Sequence, residues 1–180
     1  MWDNRSAFNA FKKSAFGLLV VTGLLCAIAP AYAADPLPKP TGRVILTVSG
    51  AIEVTNSEDG ADFDRDMLNA LGLEEIVTTT AWTDGPQTFR GVRLQTLLER
   101  VGASGTTVTA TALNDFVTSF PTTDATQYGV LLASEMNGEE MSVRDKGPLW
   151  VVYPRDDFPE LQQPEYNDRW AWQLRSIAIE

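Results

Sequence analysis

The chain contains no histidine, and its one cysteine, Cys26, lies near the N-terminus. Everything after residue 26 therefore lacks the side chains for a Ser-His-Asp triad, a Cys-His pair, a histidine zinc site or a thiolate-held iron-sulfur or molybdenum centre. No G-x-G-x-x-G or G-x-x-x-x-G-K-[ST] pattern occurs, so neither a dinucleotide fingerprint nor a phosphate-cradling loop is present. Basic residues are also scarce, with 14 Lys and Arg against 24 Asp and Glu and a formal net charge of −10. Nucleic acid and anionic membrane surfaces are poor partners for such a chain.

The N-terminus has the pattern of an export signal. Arg5, Lys12 and Lys13 precede an apolar run over residues 16–29, broken only by Gly17, Thr22 and Gly23. Pro30 then leads to Ala31-Tyr32-Ala33, whose small first and third residues suit signal-peptidase cleavage after Ala33. The run is shorter than the roughly 18 to 20 residues a membrane span needs, and no small residue stands just before Cys26 to mark a lipid anchor. The expected organisation is a signal peptide over residues 1–33, a proline-rich tether over 34–42 and one domain over 43–180. Removal of Asp3, Arg5, Lys12 and Lys13 with the leader takes the net charge from −10 to −12. The expected location is the periplasm, with no stable membrane insertion after cleavage.

Pro36, Pro38 and Pro40 favour an extended, poorly packed tether. Beyond it, alternating Val and Ile predict a strand over residues 44–54, with Gly50 as a bulge. Asp64 caps a helix over 65–71 that Gly72 stops, and Leu94, Leu97, Leu98 and Val101 recur at helical spacing for a second helix over 93–101. Strands are predicted over 75–80, 88–92, 106–113, 116–120, 128–135, 147–153 and 170–179. Asn137-Gly138 marks a hairpin returning over 140–143, and residues 154–165 form an acidic, proline-containing loop. The fold class is α+β: mixed β-sheets with short helices in a single domain.

The chemistry left to this chain rests on Asp, Glu, Lys, Arg, Tyr, Ser and Thr. The adjacent pairs Asp156-Asp157 and Glu139-Glu140 read as solvated surface, because neighbours on a strand or loop point apart. Glu58, Asp59, Asp62, Asp64 and Asp66 are rich in oxygen, but their spacing does not match an EF-hand calcium loop. More informative are polar and aromatic residues at chain reversals: Trp82 and Asp84, Asn114 and Asp115, Arg144 and Lys146, Arg155, and Asp168 and Arg169. Each alone has a packing or turn explanation; together they suggest loop tips that share one pocket. No catalytic residue and no metal ligand is expected among them.

Three stretches carry a resemblance. They are Thr88-Phe89-Arg90-Gly91-Val92-Arg93-Leu94 running into Leu97-Leu98, then Asn137-Gly138-Glu139 leading to Arg144-Asp145-Lys146-Gly147-Pro148-Leu149 and Val151-Val152-Tyr153-Pro154, and finally residues 172–179. In this order, and over nearly all of residues 43–180, the chain resembles the oxidoreductase molybdopterin-binding domain of the sulfite oxidase family. The resemblance implies that fold. The family's enzymes hold molybdenum through a cysteine in the segment before the Phe-x-Gly-Val stretch. Here that segment reads Val77-Thr78-Thr79-Thr80-Ala81-Trp82, and Lys146 stands where sulfite oxidases tend to carry histidine.

Without that cysteine the sequence is similar to the small exported, PruR-type proteins of this fold that bind pterins. What the resemblance implies is a periplasmic sensor that passes a pterin signal to a membrane-bound enzyme making or degrading cyclic di-GMP. Pterin would then be a ligand and no cofactor would act as catalyst. The alternatives are a molybdopterin-dependent oxidoreductase with a non-cysteine metal environment, and an adaptor domain without ligand. In the pterin reading, Trp82, Arg155 or Arg169 would stack on the flat bicycle, and Asp84 or Asp115 would accept its guanidine-like edge. Asn114 would meet the carbonyl side, and Arg144 or Lys146 would hold side-chain hydroxyls or a phosphate.

Overall fold

The structure is a computed structural model and describes residues 35–180; the signal-peptide reading lies outside the described residues. Two sheets build the fold. Five strands of the first run in the order β2-β1-β10-β5-β6: β1 (Val44–Gly50), β2 (Ala61–Asp64), β5 (Thr107–Ala112), β6 (Val117–Pro121) and β10 (Leu174–Ile179). In the second sheet β3 (Glu74–Thr78), β4 (Gln87–Arg93), β7 (Leu131–Met136) and β8 (Glu139–Glu140) follow in that order, and β9 (Trp150–Val152) pairs with the other end of β7. All pairings are antiparallel except β1 with β10, where the last strand of the chain enters beside the first. One continuous apolar core takes side chains from both sheets, including Leu46, Val48, Phe89, Leu132, Trp150 and Ile177.

Helix punctuation behaves as the sequence requires. Asp64 accepts the Met67 N–H at 2.9 Å and caps α1 (Arg65–Ala70), which ends at Leu71 before Gly72 at φ +100°. The second helix, α2 (Leu94–Arg100), buries Leu94, Leu97 and Leu98 and is followed by Gly102 at φ +62°. Asn137 and Gly138 both take positive φ, so the two-residue turn between β7 and β8 has the twist a tight hairpin needs.

Several expectations are corrected. The first strand ends at Gly50 instead of running to residue 54, and Gly50 closes it: a Cβ there would lie 2.1 Å from the Ile179 carbonyl oxygen. The register shift in β1 falls between Val44 and Leu46. β2, α3 (Asp124–Gln127) and α4 (Pro164–Asn167) went unpredicted, because four residues are too few to display a period. A 3-10 turn over Val143–Asp145 replaces the longer return strand, and another at Pro159–Gln162 occupies the acidic loop. Residues 35–42 lack regular secondary structure and are mostly exposed, although Leu37 is buried and Asp64 accepts the Thr41 and Gly42 N–H groups at 2.8 Å each. Two acids of the oxygen-rich cluster are thus spent internally, Asp64 on these amides and Asp62 on the Thr47 hydroxyl at 2.6 Å. Among the described residues no group of three or more acids is arranged to hold a metal ion.

Candidate ligand-binding site

Three chain reversals converge on one pocket. The first, between β3 and β4, carries Trp82, whose N–H donates to the hydroxyl of buried Thr80 at 3.0 Å. Gln87 ties the same turn from the other side, its amide donating to the Asp84 carbonyl at 2.7 Å. The second reversal joins β5 to β6, where Asn114 Oδ1 accepts the Phe116 N–H at 3.2 Å. The third runs from α4 to β10 and carries Trp170 and Trp172. Gln173, at φ +52°, accepts the Leu113 N–H at 2.8 Å and so fastens the third reversal to the second.

The pocket between them has a volume of about 250 Å³. Its apolar wall is Trp82, Trp170 and Trp172, with Ala112 and Phe116; Asn114, Asn167 and Asp168 supply the polar groups. Trp82 lies 5.6 Å from Trp170 and 5.4 Å from Trp172 between ring centroids, and buried Trp150 stands behind them at 6.2 Å from Trp82. Trp82 and Trp150 each contact the other three indoles, and this packing holds the rings' orientation. Asp168 is the one charged residue lining the pocket.

Two residues of the lining carry a buried, unsatisfied polar atom. Trp170 Nε1 has no acceptor and Asn167 Oδ1 has no donor, although burial without a partner costs on the order of 1–3 kcal/mol each. The indoles meet edge-on or tilted, and an aromatic wall with a few polar residues at its rim suits a flat heterocycle with polar edges.

Of the eight residues expected to bind, the structure brings Trp82 and Asn114 into this pocket. Asp84 is exposed on the outer side of its turn. Asp115, at φ +64°, has its carboxylate 2.8 Å from Arg175 Nη2 and points to solvent. Arg144 is exposed in the 3-10 turn. Lys146 places its ammonium 5.4 Å from the Trp150 ring centroid and is not among the lining residues. Arg155 donates to Thr79 Oγ1 at 3.1 Å, and Asp156 accepts the Thr79 N–H at 2.7 Å. Arg169 reaches Asp124 Oδ2 at 2.6 Å and lies over the Tyr166 ring at 4.3 Å.

The residues missed were Trp170, Trp172, Ala112 and Phe116, which were read as strand, and Asn167, which was assigned to no element. A Trp-x-Trp pair following Asn167-Asp168-Arg169 was the available signal, since two bulky aromatics beside a turn serve a pocket as readily as a strand.

Behind the third reversal, buried Asp124 accepts the Tyr153 hydroxyl at 2.8 Å as well as Arg169. Burial, followed by the Asp124 charge, pushes the Tyr153 phenol far above its ordinary range. Tyr128 is pushed up to about 12, first by its hydrogen bond with Tyr166 and then by burial. A larger groove of about 430 Å³ lies beside Arg43, Arg65 and Glu140. It has no aromatic face, and its charges answer one another: Arg65 Nε sits 3.6 Å from Glu140, and Asp64 is engaged by backbone amides.

Comparison with known proteins adds the following. The family model for the oxidoreductase molybdopterin binding domain matches residues 62–156. Among solved structures, the sulfane dehydrogenase SoxCD from Paracoccus pantotrophus is similar with a TM-score of 0.55 at 20% sequence identity, over 74% of this chain and 37% of that one. The likeness is one of fold, and this chain spans well under half the length of that protein. Curated proteins give no match.

Proposed function

Because the chain belongs to the oxidoreductase molybdopterin-binding domain family and has its sulfite-oxidase-type fold, we propose that the tryptophan-lined pocket binds the organic pterin ring. The observation that carries this reading is a cavity of about 250 Å³ walled by Trp82, Trp170 and Trp172, with Asn114, Asn167 and Asp168 as its polar residues. That size falls just below the roughly 300 Å³ at which typical small-ligand pockets begin and suits one bicycle rather than a dinucleotide.

The residues fit the ring system well. Trp82 and Trp172, both half-buried, offer stacking faces against buried Trp170, and the Asp168 carboxylate is suited to accept two N–H groups from a guanidine-like edge. Asn114 keeps its amide nitrogen free to donate to a ring carbonyl, since its oxygen is taken by Phe116. A bound pterin would supply redox chemistry or a recognisable signal; the side chains named here bind, orient and exclude water. The donor set is less suited to the metal, because residues 35–180 contain neither cysteine nor histidine.

The wider role follows from the resemblance and the leader pattern: an exported sensor that hands its ligand state to the periplasmic domain of a membrane-bound cyclic di-GMP enzyme. Among the described residues no helix is long and apolar enough to cross a membrane. Capture of that partner from envelope extract, dependent on added pterin, tests the role. Saturable quenching of tryptophan fluorescence by a panel of oxidised and reduced pterins tests the binding; its absence across the panel refutes it. The family's oxidoreductase chemistry is the second reading, favoured by the family match itself. It requires molybdenum to co-purify in near-equal amount, which elemental analysis decides.

A further inference from the structure

A pterin can carry very different tails, from none to a phosphate ester, and the charge around the pocket discriminates among them. The lining contains one carboxylate, Asp168, and no cation. The basic side chains close by in the chain or fold are committed elsewhere. Arg169, next to Asp168 in sequence, is held by Asp124 at 2.6 Å and by the Tyr166 ring. Arg175 is paired with Asp115 at 2.8 Å, Arg155 with Thr79 at 3.1 Å, and Lys146 lies against the face of Trp150. Around this pocket the whole chain carries a net charge of −10, so the long-range field has the same sign as Asp168.

Resting on the pterin reading, we infer that the pocket selects a phosphate-free ligand, an uncharged heterocycle with a guanidine-like edge, and that Asp168 determines this specificity. A phosphate monoester carries about −1.5 to −2 charges at neutral pH. Brought into this pocket it would lose hydration beside a carboxylate and gain no cation in return. The guanidine-like edge is matched in the opposite sense, since its two parallel N–H donors meet two carboxylate oxygens in one plane. The phosphorylated pyranopterin of a molybdenum cofactor is accordingly disfavoured by the same residue that favours the free ring.

The test uses two ligand pairs, neopterin with its monophosphate and guanosine with guanosine 5′-monophosphate, each titrated by tryptophan quenching against the purified protein. Guanosine shares the guanidine-like edge without being a pterin. The expected result is that each parent compound that binds does so at least about fivefold more tightly than its ester, as expected for like charges roughly 4 Å apart in water. Asp168→Asn should weaken the parent and narrow the gap, with the thermal midpoint unchanged because Asp168 is exposed. Esters binding as well as their parents would overturn the inference and leave the pterin reading standing. A gap that survives Asp168→Asn would overturn the role of that residue. Saturation by guanosine alone, with its ester rejected, would sustain the inference and refute the pterin reading, and no saturation by any of the four would refute both.

Discussion

Arg169 Nη1 lies 2.6 Å from Asp124 Oδ2, and the same carboxylate oxygen accepts the Tyr153 hydroxyl at 2.8 Å. The pair joins α3 to the reversal that bears Asp168 and Trp170, so it fixes the pocket wall from behind. The Asp124 side chain is 4% exposed and that of Arg169 24%. Asp124→Asn keeps the shape but leaves Arg169 without its counter-charge, and the expected loss is about 3 kcal/mol, the lower end for a broken buried pair. A fall in the urea midpoint with an unchanged slope is the measurement that checks it.

Trp82 should separate binding from folding. It is half-buried, and its ring touches Trp150, Trp170 and Trp172. Trp82→Ala removes a stacking face valued at about 1–3 kcal/mol, so pterin affinity should drop about tenfold or more while the far-ultraviolet circular dichroism is retained. Asp84→Asn and Asp115→Asn, both outside the lining, should leave the titration unchanged.

Gly91 and Gly138 give a contrast in glycine requirements. A Cβ on Gly91 would lie 2.0 Å from the Leu132 carbonyl oxygen, where β4 shifts register against β7. Backbone meets backbone there, so Gly91→Ala should abolish the soluble folded yield. At Gly138 nothing lies within 4 Å of such a Cβ, and only the φ of +81° opposes it. Gly138→Ala should therefore fold and lose about 1 kcal/mol, measured as a shift in thermal midpoint.

Asp64 should govern part of the acid sensitivity. Backbone hydrogen bonds from Gly42, Met67 and Thr41 hold its carboxyl below the ordinary 3.8. The sign follows: its contribution to stability is complete above 3.8 and is lost as pH falls through the lowered folded value. Asp64→Asn should flatten the stability profile in that acid range and lower the plateau above it, measured by denaturant midpoints across pH.

How much of this was legible beforehand depends on the range of the interaction. The cap of α1, the helical spacing of α2 and the Asn137-Gly138 turn were readable because they are settled locally along the chain. Asp64 meets Met67, Gly72 ends α1, and two positive φ angles make the hairpin. Likewise β4, β5 and β7 were located from their composition and the turns between them, with ends moved by one to three residues. Short elements such as β2, α3 and α4 left no periodic trace. The final strand was drawn too long because Trp170 and Trp172 alternate as strand residues do, whereas the strand begins at Leu174, after the left-handed Gln173.

The sequence by itself determined the donor set, with no imidazole or thiol after residue 26, the family to which the chain belongs and the two-residue rhythm of its strands. Composition, periodicity and motif order are properties of the chain that folding cannot alter. Only the tertiary structure decided which reversals meet. It placed Trp82 with Asn114, Asp168, Trp170 and Trp172, and it drew Arg155, Arg169 and Asp115 into ion pairs and hydrogen bonds elsewhere. That choice rests on the parallel entry of β10 beside β1 and on the Leu113 to Gln173 hydrogen bond. Both are contacts between distant parts of the chain, and local pattern carries no information about their register.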